Sequence, residues 1–198
     1  MKIVLYLFII YLIITQINFI NFTLGSYDVN NNILYNKKQL IVSTHDYEHI
    51  DIFIMLDEII KSNDKVTIVF ADKLWNRFLY YYLKLRMITN IDFIFVNGGT
   101  VSNITDVLNK DQTVLIYLYR DNLSSGIYYS LKDSLAPLIL CKITSDHKNT
   151  ILDKGSDIFT ILYENFNCHY DVDFISYNYN IFKHKKDFMR DIQNKLYL

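Results

Sequence analysis

The sequence predicts an α/β domain: a largely parallel or mixed central sheet flanked by helices, with an N-terminal hydrophobic helix ahead of it. Three observations carry this. From residue 39 onward, short runs of strand-forming residues alternate with stretches of helical spacing, the order that builds parallel strands through helical crossovers. Several of the strand runs are continuously apolar, as strands covered on both faces are. Between Lys2 and Asp28 there is no charged residue, so an apolar segment opens the chain.

Residues 3–14 are an unbroken apolar run, followed by a softer stretch to residue 22 that includes Gln16, Asn18 and Asn21. The core of the run is shorter than the roughly 20 residues a spanning helix needs, and the whole stretch reaches that length. Three readings stand: a secretory signal with a weak cleavage site at Thr23-Leu24-Gly25, a retained span or shallow anchor, and a buried core helix. Residues 1–24 are therefore expected as an anchor or signal and residues 25–198 as a single domain, membrane-associated through that segment. Strands are expected at 39–44, 66–71, 92–97, 113–119 and 137–144, with one or two more, of open order, in 158–179. Helices are expected at 51–61, with Ile52, Met55, Leu56 and Ile59 on one face, and at 72–87, with Leu74, Phe78, Tyr81, Tyr82 and Leu85 on one face. A short helix at 102–109 has Ser102 or Asn103 available as cap, and an amphipathic basic helix covers 181–196. Residues 146–157 are polar and read as a surface loop.

Composition excludes several classes. The 198 residues carry 20 Lys+Arg against 21 Asp+Glu, a net charge of -1, so no nucleic-acid partner is expected. A 51% hydrophobic content supplies a core, which excludes global disorder. The two cysteines, Cys141 and Cys168, exclude a disulfide framework and a cysteine-rich zinc module. Cys141 lies in an apolar strand and reads as core, and Cys168-His169 has no partner pair at metal-ligand spacing. No metal is expected. The five glycines form neither a phosphate loop nor a nucleophile elbow.

One constellation carries chemistry: Thr44-His45-Asp46-Tyr47-Glu48-His49-Ile50-Asp51, which ends a strand and opens a helix. An imidazole there can take a proton from an alcohol near neutral pH, and a carboxylate on its other nitrogen fixes the tautomer. Two other readings use the same residues. Asp46 or Asp51 caps the helix while the histidines sit on a solvated turn, or the His, Asp and Glu cluster binds a metal.

Residues 40–55 (LIVSTHDYEHIDIFIM) resemble the first motif of the glycerolipid acyltransferase family, which includes the lysophosphatidic-acid acyltransferases. That motif is a strand, Asn-His, four residues, Asp, then an apolar helix. The likeness continues in register through FADKLWNRFLYYYLKLRM (70–87), IFVNGG (94–99), IYLYRDNLSSG (116–126) and APLILCKI (136–143), about half the chain. Here five residues separate His45 from Asp51, and Thr44 replaces the Asn. Asn97 and Gly98 stand where the family has Asp-Arg, so its phosphate-gripping Arg is absent, and the segment 118–121 lacks its Glu.

The resemblance implies a membrane-associated O-acyltransferase of phospholipid metabolism, moving an acyl group from acyl-CoA, as co-substrate, to a lysolipid or other alcohol. No cofactor is implied. His45 and Asp51 take the catalytic positions, and Asn97, Gly98, Tyr119 and Arg120 the substrate-binding ones, with Lys132 a further anion contact. The alternative is a non-catalytic relative that binds lipid or a partner through the same fold.

Overall fold

The computed structural model describes residues 26–31, 33, 35, 37–45, 49–96, 101–118, 126–146, 168–180, 182 and 184–197. The expected N-terminal hydrophobic helix, and most of the polar loop at 146–157, lie outside them. No helix among the described residues is long and apolar enough to cross a membrane.

The elements follow in the order β1 (Ser26–Val29), β2 (Gln39–Thr44), α1 (His49–Ser62), β3 (Val66–Ala71), α2 (Leu74–Leu85), β4 (Ile91–Val96), α3 (Val101–Leu108), β5 (Thr113–Leu118), α4 (Gly126–Ser134), β6 (Leu138–Ser145), β7 (His169–Tyr177) and α5 (Lys185–Tyr197). The strands form a seven-stranded mixed sheet in the order β1-β7-β6-β2-β5-β3-β4. Strands β2 to β6 are mutually parallel where they pair. β7 runs antiparallel to β6, and β1 pairs parallel to β7 at the edge.

Strand side chains alternate between faces, so each strand feeds two cores. Ile41, Ile68, Leu115 and Cys141 pack against α1 and α2. Leu40, Val42, Val114 and Leu140 pack against α3, α4 and α5. All six residues of β2 are buried, which is why Leu40, Ile41 and Val42 run unbroken at its centre, its polar members carry no charge and no period-two alternation shows.

The expected strands at 39–44 and 66–71 form over those residues. The open segment 158–179 supplies one described strand, β7, while residues 158–167 lie outside the description. Two elements had no expected counterpart. β1 is four residues, too short to show a pattern. α4 buries Ile127, Ser130, Leu131 and Ser134, so half of its helical stripe is serine and the apolar period is hidden. The hydroxyl of Ser134 satisfies itself by donating to the Ser130 carbonyl at 2.6 Å, which lets it sit in the core.

Three expectations are corrected. α3 starts at Val101, so Ser102 and Asn103 are inside its first turn and not at its cap. α5 starts at Lys185, four residues later than expected, and buries Phe188, Met189, Ile192 and Leu196. In α2 the face that meets the core is Leu79, Tyr82 and Leu83. Of the expected face only Tyr82 is buried, and Leu74, Phe78, Tyr81 and Leu85 are exposed. The helix has two apolar faces, and periodicity alone does not say which one the sheet takes.

Each of the four helices that lead back into a parallel strand is followed by a non-glycine residue in the left-handed region: Asn63, Met87, Asp111 and Leu135, with φ of 56° to 57°. A left-handed residue reverses the chain and lets late N–H groups reach helix carbonyls, as Asn63 N–H does to Ile59 O at 3.2 Å. For leucine the conformation costs about 1–2 kcal/mol, whereas asparagine tolerates it. Leu135 is 74% exposed and contributes little packing in return. Leu135→Gly is therefore expected to stabilise the fold by about 0.5–1 kcal/mol and Asn63→Gly to leave it near unchanged. Urea midpoints of the two variants against the parent check this.

Candidate active site

The crossovers β2-α1-β3 and β3-α2-β4 lie on one face of the sheet, and β4-α3-β5 and β5-α4-β6 lie on the other. β5 inserts between β2 and β3. The chain leaving β2 therefore departs to one face and the chain leaving its neighbour β5 to the opposite face. Such a divergence opens a crevice at the carboxyl ends of the strands, where open α/β sheets place their ligands.

His45 is the first residue after β2, at this divergence. By alternation from Ile41 its side chain falls on the α1 and α2 face. Its Nδ1 lies 3.6 Å from Asp51 Oδ2, within ion-pair range and longer than a hydrogen bond. Its side chain is 8% exposed and that of Asp51 is 0% exposed. The imidazole ring sits 5.6 Å from the Tyr117 ring, which in turn stacks on Phe70 at 5.6 Å and 13°. Phe70 of β3 and Tyr117 of β5 thus form a stacked pair whose Tyr117 ring meets the imidazole.

Asp51 is the third residue of α1, in its first turn, where the helix dipole favours a negative charge. It does not precede the helix as a cap would. The His45 side chain is not on a solvated turn, while Asp46, Tyr47 and Glu48 lie outside the described residues. Among the described residues no three His, Cys, Asp or Glu side chains converge as a metal site.

The backbone at the strand end is tied down from two sides. The His45 N–H donates to the hydroxyl of Tyr197 at 3.3 Å, and that hydroxyl donates to the Leu118 carbonyl at the end of β5. Thr44 Oγ1 accepts from the Ile143 N–H of β6 at 3.2 Å, extending the ladder one step past the last paired residues. Tyr197 and Tyr117 were not among the expected site residues. Tyr117 is legible only once the sheet order puts β5 beside β2, and Tyr197 has no local signal, because it reaches the site from the other end of the chain.

Asn97, Gly98, Tyr119 and Arg120 lie outside the described residues. The strands that lead to them, β4 and β5, end on the same side of the sheet as β2. Lys132 is in the last turn of α4, and its ammonium lies 5.7 Å from the Tyr128 ring centre. The helix carries it away from the carboxyl ends of the strands, so the expectation of an anion contact there is not met.

Beneath His45, Cys141 is fully buried, its thiol 3.4 Å from the Met55 sulfur. Burial, with the Asp51 charge adding to it, pushes its pKa up to about 12. Burial also holds the Tyr117 phenol well above its ordinary value, with the nearby Asp51 charge adding to it. Both groups are thus neutral beside the His45–Asp51 pair. Cys168 is buried too, and the His169 ring next to it instead meets Ser26 Oγ at 2.9 Å and Asp28 at 3.5 Å. Comparison of the sequence with protein-family models and with curated proteins gives no match.

The raised thiol pKa has a signed consequence. The folded state holds Cys141 protonated while the unfolded state releases its proton at about 9, so stability falls as pH rises from about 9 to about 12. The contribution from this group is roughly 1 kcal/mol per pH unit in that interval. Urea unfolding across it is expected to show a steeper loss in the parent than in Cys141→Val, which has nothing to ionise.

Proposed function

We propose that the chain is a divergent glycerolipid acyltransferase-like protein that transfers an acyl group from acyl-CoA to a lysolipid or other alcohol, with His45 as general base. The observation that carries this reading is the contact of His45 Nδ1 with the buried carboxylate of Asp51 at 3.6 Å, at the carboxyl end of the central strand. The pairing is made although five residues separate the two, where the family has four. An inserted residue within a helix would turn Asp51 by about 100°. In the structure Asp51, in the first turn of α1, nevertheless reaches His45.

In this reading Asp51 holds the proton-bearing Nδ1 and leaves Nε2 basic. An acceptor hydroxyl gives its proton to Nε2 as its oxygen attacks the thioester carbonyl of acyl-CoA. Asp51 then stabilises the imidazolium. The carbon–sulfur bond breaks, an ester forms, and the leaving CoA thiolate recovers the proton from His45. The absence of the family's phosphate-gripping Arg favours an acceptor that has no phosphate or is held by it differently.

A non-catalytic lipid-binding relative is the second reading. It is favoured by the contact being longer than a hydrogen bond and by the missing counterparts of the family's Arg and Glu. Incubating the purified full chain with acyl-CoA and lysolipid and measuring free thiol separates the two. Release that falls about 10²-fold or more in His45→Ala, and clearly in Asp51→Asn, is the expected result. Equal release by parent and His45→Ala removes His45 from the chemistry, and no release above buffer leaves the binding role.

A further inference from the structure

Helix α2 carries an apolar stripe that the fold leaves outside. Leu74, Phe78, Tyr81 and Leu85 follow helical spacing along one side, at 86%, 50%, 59% and 45% exposure, and Met87 continues the stripe just past the helix at 82%. The opposite side of the same helix, Leu79, Tyr82 and Leu83, is fully engaged with the sheet. One helix therefore has a core face and a second apolar face that is at least 45% exposed at each position. A contiguous exposed apolar stripe of this kind marks an interaction surface, whereas single exposed residues do not.

The charges around the stripe identify its occupant. Residues 72–87 contain Lys73, Arg77, Lys84 and Arg86 against one acid, Asp72, and Lys84 also meets Asp92 of β4 at 3.4 Å. Asp72 is engaged by Arg77, whose Nη2 donates to it at 2.8 Å, and no acidic residue stands in the first turn of the helix. Leu, Phe and Tyr on one side, cations beside them and no carboxylate on the helix itself is the pattern of a helix lying in a lipid interface. A basic rim suits anionic headgroups and not neutral ones.

Two other occupants are less well served. The chain enters the described structure at Ser26 on β1, six strand spacings from β4 and roughly 29 Å across the sheet. Its apolar N-terminal segment would have to return over the face that α1 already covers. A second copy of this chain would set the cations of one α2 against those of the other.

We propose that the exposed face of α2 docks on the surface of an anionic lipid bilayer, as a membrane contact separate from the N-terminal segment. The contact lies alongside the site. α2 starts just beyond β3, two strand spacings or roughly 10 Å from β2, whose end carries His45. The proposal rests on the stripe and its charges and stands whether or not the chain transfers acyl groups.

The chain holds one tryptophan, Trp75, the second residue of α2, so its fluorescence reports on this helix alone. The full chain is mixed with vesicles of phosphatidylcholine with or without phosphatidylserine, carrying bromine at defined acyl depths. The expected result is a blue shift and quenching that place Trp75 roughly 5–10 Å below the headgroups. Both effects are expected to be strongest in anionic vesicles and to weaken with salt and in Lys73→Glu. In Leu74→Ser/Phe78→Ser/Tyr81→Ser, with its circular dichroism unchanged, the quenching is lost even where the N-terminal segment keeps the protein on the vesicles. Trp75 equally open to aqueous acrylamide with and without vesicles overturns the proposal. So does quenching indifferent to lipid charge. Shielding that is already present without lipid also overturns it, and its dependence on protein concentration then separates a second copy from the chain's own N-terminal segment.

Discussion

The structure turns on the burial of β2 from both faces. With all six residues enclosed, the strand has no room for a charge along its length, and its polar members, Gln39, Ser43 and Thr44, are neutral. Ionisable chemistry can begin only where the strand stops, and His45 is the first residue there. The neighbours then decide what kind of place that is. β5 and β6 flank β2, the β5 chain departs to the opposite face, and Asp51 rises from the first turn of α1 to meet the imidazole. Burial also keeps the Cys141 thiol and the Tyr117 phenol neutral, so neither adds a charge beside the contact of His45 with Asp51.

Much of this was legible in the residues, because strands closed on both faces write themselves as short apolar runs. The runs at 39–44 and 66–71 needed no correction. β4, β5 and β6 moved only at their ends. The pairing of His45 with Asp51 was legible as a spacing and a chemical complement, but the extra residue left its geometry open, and only the fold brings the two to 3.6 Å. What was not legible depended on long-range partners. α4 hides its period because Ser130 and Ser134 fill buried positions where apolar residues give the signal. Tyr197 joins the site through a contact with a residue more than a hundred positions earlier in the chain, which no local pattern encodes.

α2 shows the limit from the other side. Its periodicity was strong, and the stripe it announced exists, yet that stripe is the one left facing out. Helical spacing says that apolar residues share a side and is silent on what meets them. Here Leu79, Tyr82 and Leu83 take the sheet, and the Tyr80 ring spans to Phe93 and Phe95 of the edge strand β4. Two apolar sides separated by cations are what a helix needs if it is to hold a protein core and a second greasy phase at once.

The edge strand β1 has one partner, β7, and the two are far apart along the chain: the Ser26 hydroxyl and the His169 ring that meet across them are separated by 143 positions. β1 cannot pair until β7, more than a hundred residues later, has been made. Until then β1 has nowhere to dock in the sheet. A strand made late is thus the one that pins the first described strand in place, and the sheet closes at this edge last.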